Sequence, residues 1–419
     1  MAATHVCRGG VRPAVHHAPQ STCRRVVLLC LCLPLLLAAP PASAQWIRGW
    51  VPGNGTFEDP LQWIPNGMPQ PLDTAAFLMA GVSQVTFASD HPTHALSVGH
   101  GYVGLLLGGH TYTVTDTSSV YPCSINVGFL EGIYATLNLS NGMLAGQHAV
   151  IGAHPNGGGT VVVDTGATWT NTGTLHVGYL GAGVLTVQNG GVVTSQHGCI
   201  GLVEGSIGQA TVTGTGSGWG TMNLSVGGSA TAAGGMGSSL TVGGGGCVVA
   251  SGTLKVWPFS AVTLEADGLI AADTFEGTVG CVATAAAGSE LRVNHLVGWG
   301  NYVGSTAHFT LGHALGSGSG SLAVGAGQTL VAGQDLTVGY DAPATLAISG
   351  GAQVSCVNGY LGSEVGSTGT VNMTGAGSAW TVSGSLQVGD EYLGPEGGDG
   401  YPERERRPRL RRRRAETGG

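Results

Sequence analysis

The sequence predicts an all-β chain folded as a right-handed parallel β-helix of about 25-residue coils, on three observations: glycine abundance, scarcity of charge and an internal repeat. Of 419 residues, 76 are glycine and 9% are charged, whereas globular chains average about 7% glycine and about 25% charge. Helices need charged, glycine-poor surfaces, so they are disfavoured. The glycine follows no G-X-Y period, which excludes collagen, and 42% hydrophobic residues are too many for a disordered chain.

The repeat is a Leu-x-Val-Gly unit, sometimes degraded. It occurs at Leu96-Ser97-Val98-Gly99, Ile125-Asn126-Val127-Gly128, Ala149-Val150-Ile151-Gly152, Leu175-His176-Val177-Gly178, Gly198-Cys199-Ile200-Gly201 and Leu224-Ser225-Val226-Gly227. It returns at Gly325, Gly339, Gly362 and Gly389. The spacing of neighbouring glycines varies from one unit to the next. Alternate ones, such as Gly128 with Gly178 and Gly152 with Gly201, keep a nearly constant separation, so a two-coil unit has been copied. Trp169 and Trp219 repeat at the same doubled step, and Trp380 stands in matching context before Gly389.

Between these units lie runs such as Thr136-Leu137-Asn138-Leu139 and Thr160-Val161-Val162-Val163, ended by turn signals such as Ser140-Asn141-Gly142. Their alternation has a period of two, so one side of each strand faces a core and the other faces water. Short strands, glycine turns and a recurring step describe a solenoid whose coils pair with those above and below. About 12 coils between residues 96 and 389, at about 4.8 Å each, make a rod about 60 Å long. A β-propeller is the alternative, because its blades also repeat, at about twice the coil length. The missing blade signature and the strong half-period speak against it.

Residues 1–44 read as a secretory signal peptide: a basic stretch ending at Arg24-Arg25, an apolar run from Val26 to Ala39, and Ala42-Ser43-Ala44 before Gln45. The run is too short for a membrane span. Residues 45–95, with Trp46, Trp50, Trp63 and several prolines, read as an N-terminal cap, because an open coil end invites polymerisation. Residues 96–389 are the β-helical repeat domain, irregular around 250–320, where only Gly298 matches the unit. Residues 390–419 form an Arg-rich tail without the repeat, read either as a basic interaction tail or as out-of-frame translation. The break inside a repeat favours the second.

Between residues 45 and 389 the only cations are Arg48, Lys255 and Arg292, against 16 acids. A net charge of −13 there excludes nucleic-acid binding, which needs clustered Lys and Arg. The five cysteines outside the signal, Cys123, Cys199, Cys247, Cys281 and Cys356, are odd in number and widely spaced, so they read as small buried apolar residues.

A search for catalytic chemistry gives little. Polysaccharide lyases and hydrolases need paired carboxylates, or calcium with an Arg or Lys base. Here the acids are single except Glu58-Asp59 and Glu265-x-Asp267, and the available bases within the coils are Lys255 and Arg292. Gly99-His100-Gly101 lacks an accompanying Asp pair, and its first glycine belongs to the repeat. His148, His154, His176, His197, His295, His308 and His313 stand singly. His148 and His197, one full unit apart, allow a metal site across coils, though a solvent-facing ladder is the simpler reading. No Gly-Gly-x-Gly-x-Asp calcium repeat or Gly-Lys-Ser/Thr nucleotide loop occurs. Sequons at Asn54, Asn138, Asn223 and Asn372 are what a repeat of this composition produces by chance. No catalytic, cofactor-binding or metal-ligating residue is assigned, and no cofactor is expected.

The repeated Gly-Thr-Leu-x-Val, Asn-Gly-Gly and Leu-x-Val-Gly units, with Gly55-Thr56-Phe57-Glu58-Asp59-Pro60-Leu61-Gln62-Trp63 and Asp73-Thr74-Ala75-Ala76-Phe77, resemble the repeat proteins associated with type V secretion (autotransporters) and PEP-CTERM sorting. The resemblance covers most of residues 46–389. It implies a β-helical, passenger-like stalk, secreted or displayed on the cell surface or outer membrane of a Gram-negative bacterium. Its implied role is structural or adhesive, with surface glycans or proteins as partners, no nucleic acid, no integral membrane span in the mature chain and no catalytic residues to transfer. The sequence departs from the family in showing neither a C-terminal membrane barrel nor a terminal sorting helix. The alternative function is a carbohydrate-active β-helix enzyme.

Overall fold

The computed structural model describes residues 45–118, 124–278, 281–286, 288–297, 301–304, 308–311, 320–364 and 366–389. The expectations placed on residues 1–44, Cys123, Gly298, His313 and residues 390–419 fall outside them.

Each coil turns a corner where Val or Ile is followed by glycine. Gly152 has φ +72°, and a Cβ there would lie 2.2 Å from the Ala182 carbonyl oxygen of the next coil. Only glycine supplies this left-handed backbone at so close an approach. The stacking that results is a parallel β-solenoid of about 13 turns, neither a barrel nor a propeller. Among the described residues one sheet has 14 strands and the other 22. The larger sheet has two limbs that meet at a bulge, as between Asn171 and Thr174 in the strand Thr168–Val177. A propeller would need antiparallel hairpins within blades, whereas these named strands pair in parallel, apart from one antiparallel contact at the N-terminus.

The register converts the repeat into columns. Leu96, Ile125, Ala149, Leu175, Gly198, Leu224, Leu254 and Phe275 stack along one limb. Val98, Val127, Ile151, Val177, Ile200, Val226 and Val256 run beside them, all buried. Alternate residues of the smaller sheet point outward and form a threonine ladder of Thr186, Thr211, Thr241, Thr263 and Thr284.

The doubled step of tryptophan has a packing cause. Trp219 follows Val193 in its column, which itself follows Trp169, so bulky rings occur in alternate coils. A Cβ on Gly198 would lie 2.7 Å from the Trp219 ring, so the glycine makes room for the indole. Gly359 makes the same room for Trp380, 2.8 Å from its ring.

Residues 45–95 lie on the same sheets as the coils. Ile47–Trp50, Thr74–Phe77 and Ala95–Val98 pair in parallel succession, as do Asn54–Thr56, Val82–Thr86 and Gly101–Leu106. What distinguishes this end is its plug. Trp63–Ile64 turns back antiparallel against Gly49–Trp50, and Trp50, Phe57 and Trp63 are fully buried. Their rings meet edge-on, with centroids 5.0 and 5.1 Å apart. Asp73 clamps the plug by accepting from Arg48 Nε at 2.8 Å, the Gln70 amide at 2.9 Å and the Trp46 amide at 3.0 Å. Asp73→Ala leaves Arg48 without its carboxylate, and chemical unfolding is expected to show a loss of about 3 kcal/mol.

Residues 247–277 continue the stack without a break, although the sequence reads them as irregular. Leu254-Lys255-Val256 occupies the Leu-x-Val columns, with Trp257 in place of the usual glycine. Farther on, the sequence unit slips by one face. Leu224–Val226 and Leu386–Val388 come from the same unit but lie on different limbs of the large sheet. Likewise Trp219 lies in the large sheet and Trp380 in the small one. The slip falls where Glu290–Val297 supports two strands at once, His308–Leu311 above its first half and Gly320–Val324 above its second.

Candidate functional site

The register assembles one outward column rich in chemically capable side chains: Asn126, Val150, His176, Cys199, Ser225, Lys255 and Glu276. It sets His176 beside Cys199, and Ser225 beside Lys255, the residue types of nucleophile and base. Sequence reasoning did not find this column, because its members come from successive coils at uneven spacing and share no residue type.

The electrostatics of the column oppose nucleophilic chemistry. Burial pushes the Cys199 thiol up to about 11. Burial, with a smaller effect from the charge of His148, pushes His176 down to about 4. A working Cys–His pair needs the opposite shifts, a thiolate beside an imidazolium. The His176 ring rests instead near Tyr179, with centroids 5.5 Å apart. Lys255 Nζ lies 2.9 Å from Glu276 Oε1 and 4.4 Å from the Trp257 ring centroid.

His176 makes stability depend on pH. Its folded pKa lies below the unfolded value of about 6.5, so the unfolded chain binds the proton more readily. Stability is therefore intact above pH 6.5 and falls as pH drops toward 4. About 3 kcal/mol is lost across that window, and His148, also lowered by burial, adds in the same direction. His176→Gln is expected to flatten the dependence, as urea midpoints measured at pH 4 and 7 will show.

The other candidates are engaged in local contacts. His148 and His197 share a column, but Thr174 stands between them, leaving two coil spacings, about 10 Å. His148 Nδ1 accepts from the Thr174 amide at 3.1 Å, and Asn223 Oδ1 accepts from the Thr253 amide at 2.9 Å. These side chains satisfy amides that the bulge leaves out of the ladder. Asn138, another sequon residue, donates to the Tyr102 hydroxyl at 2.9 Å. Among the described residues no group of three His, Cys, Asp or Glu could hold a metal. Cys199 and Cys356 are buried, Cys247 and Cys281 half-buried, all four as free thiols.

The carboxylate pairs are turn builders. Glu58 Oε1 accepts from the Ala88 amide at 2.9 Å and contacts His91 Nε2 at 2.9 Å, and Asp59 Oδ1 caps the Leu61 amide at 2.9 Å. Burial raises the Glu58 pKa, but these hydrogen bonds outweigh it and the net shift is downward. Asp267 occupies a left-handed turn position at φ +59°, and Glu265 lies over Gly243 of the neighbouring coil. Neither cation proposed as a base is free. Arg292 grips Glu290 through Nε at 2.6 Å and Nη2 at 3.0 Å, and Lys255 is held as above. Arg48, paired with Asp73, completes the cations of the described residues.

One concave feature stands apart from the columns. A groove of about 370 Å³ crosses the turn face, lined by Tyr134, Pro155, Leu180, Val203, Glu204 and Ile207 among others. Tyr134 is 69% exposed. The Cδ1–Cε1 edge of its ring lies against Gly158, where a Cβ would sit 2.4 Å from Cδ1. Gly157 and Gly181 also line the groove. Among the described residues no helix is long and apolar enough to cross a membrane. In comparison with known proteins, no family model and no curated protein matches the chain.

Proposed function

We propose that this chain is an exported, passenger-like β-solenoid of a Gram-negative cell envelope, with a structural or adhesive and non-enzymatic role. The observation that carries the reading is the state of its chemically capable groups. Each cation of the described coils is held by a carboxylate, and the Cys199–His176 neighbours are neutral. A lyase needs a free base, and here the bases stabilise coils instead. The signal-like segment at residues 1–44 and the resemblance to autotransporter and PEP-CTERM repeats support export.

Adhesion calls for a contact surface, and the Tyr134–Ile207 groove supplies an exposed ring beside an apolar wall. An aromatic face of this kind stacks on the apolar side of a sugar ring. On a glycan array the purified chain is expected to bind surface glycans, and Tyr134→Ala to weaken that binding about tenfold. Binding that ignores Tyr134 would remove the groove from the account. The enzymatic alternative is tested by incubating the chain with acidic polysaccharides from pH 5 to 9 and following unsaturated products and reducing ends. The expected result is no turnover. Turnover abolished by Glu265→Gln or Asp267→Asn would overturn the non-enzymatic reading.

A further inference from the structure

The smaller sheet presents two different outward surfaces. Farther along its strands runs the threonine ladder from Thr186 to Thr284. At the strand starts stands a column without charge or aliphatic hydroxyl, in which Tyr134, Gly158, Ala182 and Ile207 pair in succession from coil to coil. Phe259 extends it, lying two residues before Ala261, which pairs through Ser239 with Gln209, two residues after Ile207. Tyr134 and Phe259 are therefore five coil steps apart, about 24 Å along the axis. Between them Ile207 is 47% and Met236 58% exposed, and Phe259 itself is 68% exposed. Phe259 also holds φ +60°, a left-handed backbone that a bulky side chain adopts only at a cost in strain. A ring held in water at that cost adds little packing to the fold, and a line of exposed apolar residues marks a contact surface.

The surroundings select the occupant. Each of these strands is paired on both edges, so a peptide cannot add to the sheet as a further strand. Glu204 lines the groove, and every cation of the described residues is held by a carboxylate, so an acidic chain finds no free counter-charge here. What the column offers is aromatic faces set apart along a line, with the small residues Gly158 and Ala182 between them. A neutral sugar polymer matches that arrangement. Its ring faces stack on aromatic side chains, and the unit length of an extended β-linked chain is close to one coil spacing.

We propose that this edge of the smaller sheet, from Tyr134 to Phe259, is an extended site for one neutral polysaccharide chain lying parallel to the solenoid axis, with about five sugar units spanning the two rings. The inference rests on the glycan-binding reading of the Tyr134–Ile207 groove and adds the charge, direction and length of the ligand. Isothermal titration calorimetry of the purified chain with neutral β-linked oligosaccharides of glucose, N-acetylglucosamine and mannose, from two to eight units long, tests it. Affinity is expected to rise about tenfold between two and six units and to level off beyond. Phe259→Asn suits the left-handed turn while removing the ring, and is expected to abolish that gain and leave disaccharide affinity unchanged. Tyr134→Ala weakens binding at every length. Far-UV circular dichroism checks that each variant is folded. Tyr134-dependent binding without a gain in length, a gain that survives Phe259→Asn, or tighter binding of oligogalacturonate would overturn the extended site and leave the groove in place. Failure of every neutral oligosaccharide to bind, with or without binding of an apolar peptide, would overturn both.

Discussion

Replacing Trp219 by alanine is expected to cost about 3–5 kcal/mol of stability, read from denaturant midpoints by far-UV circular dichroism. The indole is 1% exposed, and its Nε1 donates to Ser195 Oγ at 3.1 Å. Ser195 Oγ in turn donates to Thr221 Oγ1 at 3.1 Å, so truncation opens a cavity and loosens a buried polar link in the same place. Gly198 provides the internal control. With Trp219 present, Gly198→Ala drives a Cβ to 2.7 Å from the ring and is expected to destabilise. In the Trp219→Ala background the same change partly fills the hole. The two effects should couple by more than about 1 kcal/mol, whereas additive losses would show that the glycine is not there to admit the indole.

Gly152→Ala is expected to cost at least about 3 kcal/mol, because two penalties combine there. A non-glycine residue in the left-handed region costs about 1–2 kcal/mol. The added Cβ also meets the Ala182 carbonyl oxygen at 2.2 Å, which the two stacked coils can relieve only by separating. Gly166→Ala separates the two penalties. Gly166 has φ +68°, but a Cβ there has nothing within 4 Å, so only the backbone cost of about 1 kcal/mol is expected. Equal losses at both positions would mean that coil approach does not explain the glycine of the repeat.

These two positions also show why the fold was legible. A parallel solenoid forces the same residue type to recur wherever the backbone meets the same demand, so φ > 0 and close approach leave a glycine at Gly128, Gly152, Gly178, Gly201 and Gly227. The coil at Leu254-Lys255-Val256 escaped notice because Trp257 takes the glycine's place while the inward residues still fit their columns. The slip between faces was invisible for a different reason. All three faces carry the same alternation, so nothing in Leu386-Gln387-Val388 says which limb it joins. The column of His176, Cys199, Ser225 and Lys255 could be assembled only with the register in hand, because coil lengths vary. The ion pairs of Lys255 and Arg292 were likewise hidden. Glu276 reaches Lys255 from the adjacent coil, and Glu290 reaches Arg292 along the same strand face.

The sparse charge of the rod follows from this architecture. The outer face of the smaller sheet carries uncharged hydroxyls, as in the ladder from Thr186 to Thr284. The few cations are then held in coil-to-coil or local ion pairs, and none remains as a free base among the described residues.

The most direct test of the exported, non-enzymatic reading is the N-terminal sequence of the protein released by protease treatment of intact expressing cells. The account predicts that the surface fraction holds the chain and that uncleaved copies within it begin at Gln45, after Ala42-Ser43-Ala44. Recovery of the protein only from the cell lysate, with Met1 or its immediate neighbours still at the N-terminus, would contradict it.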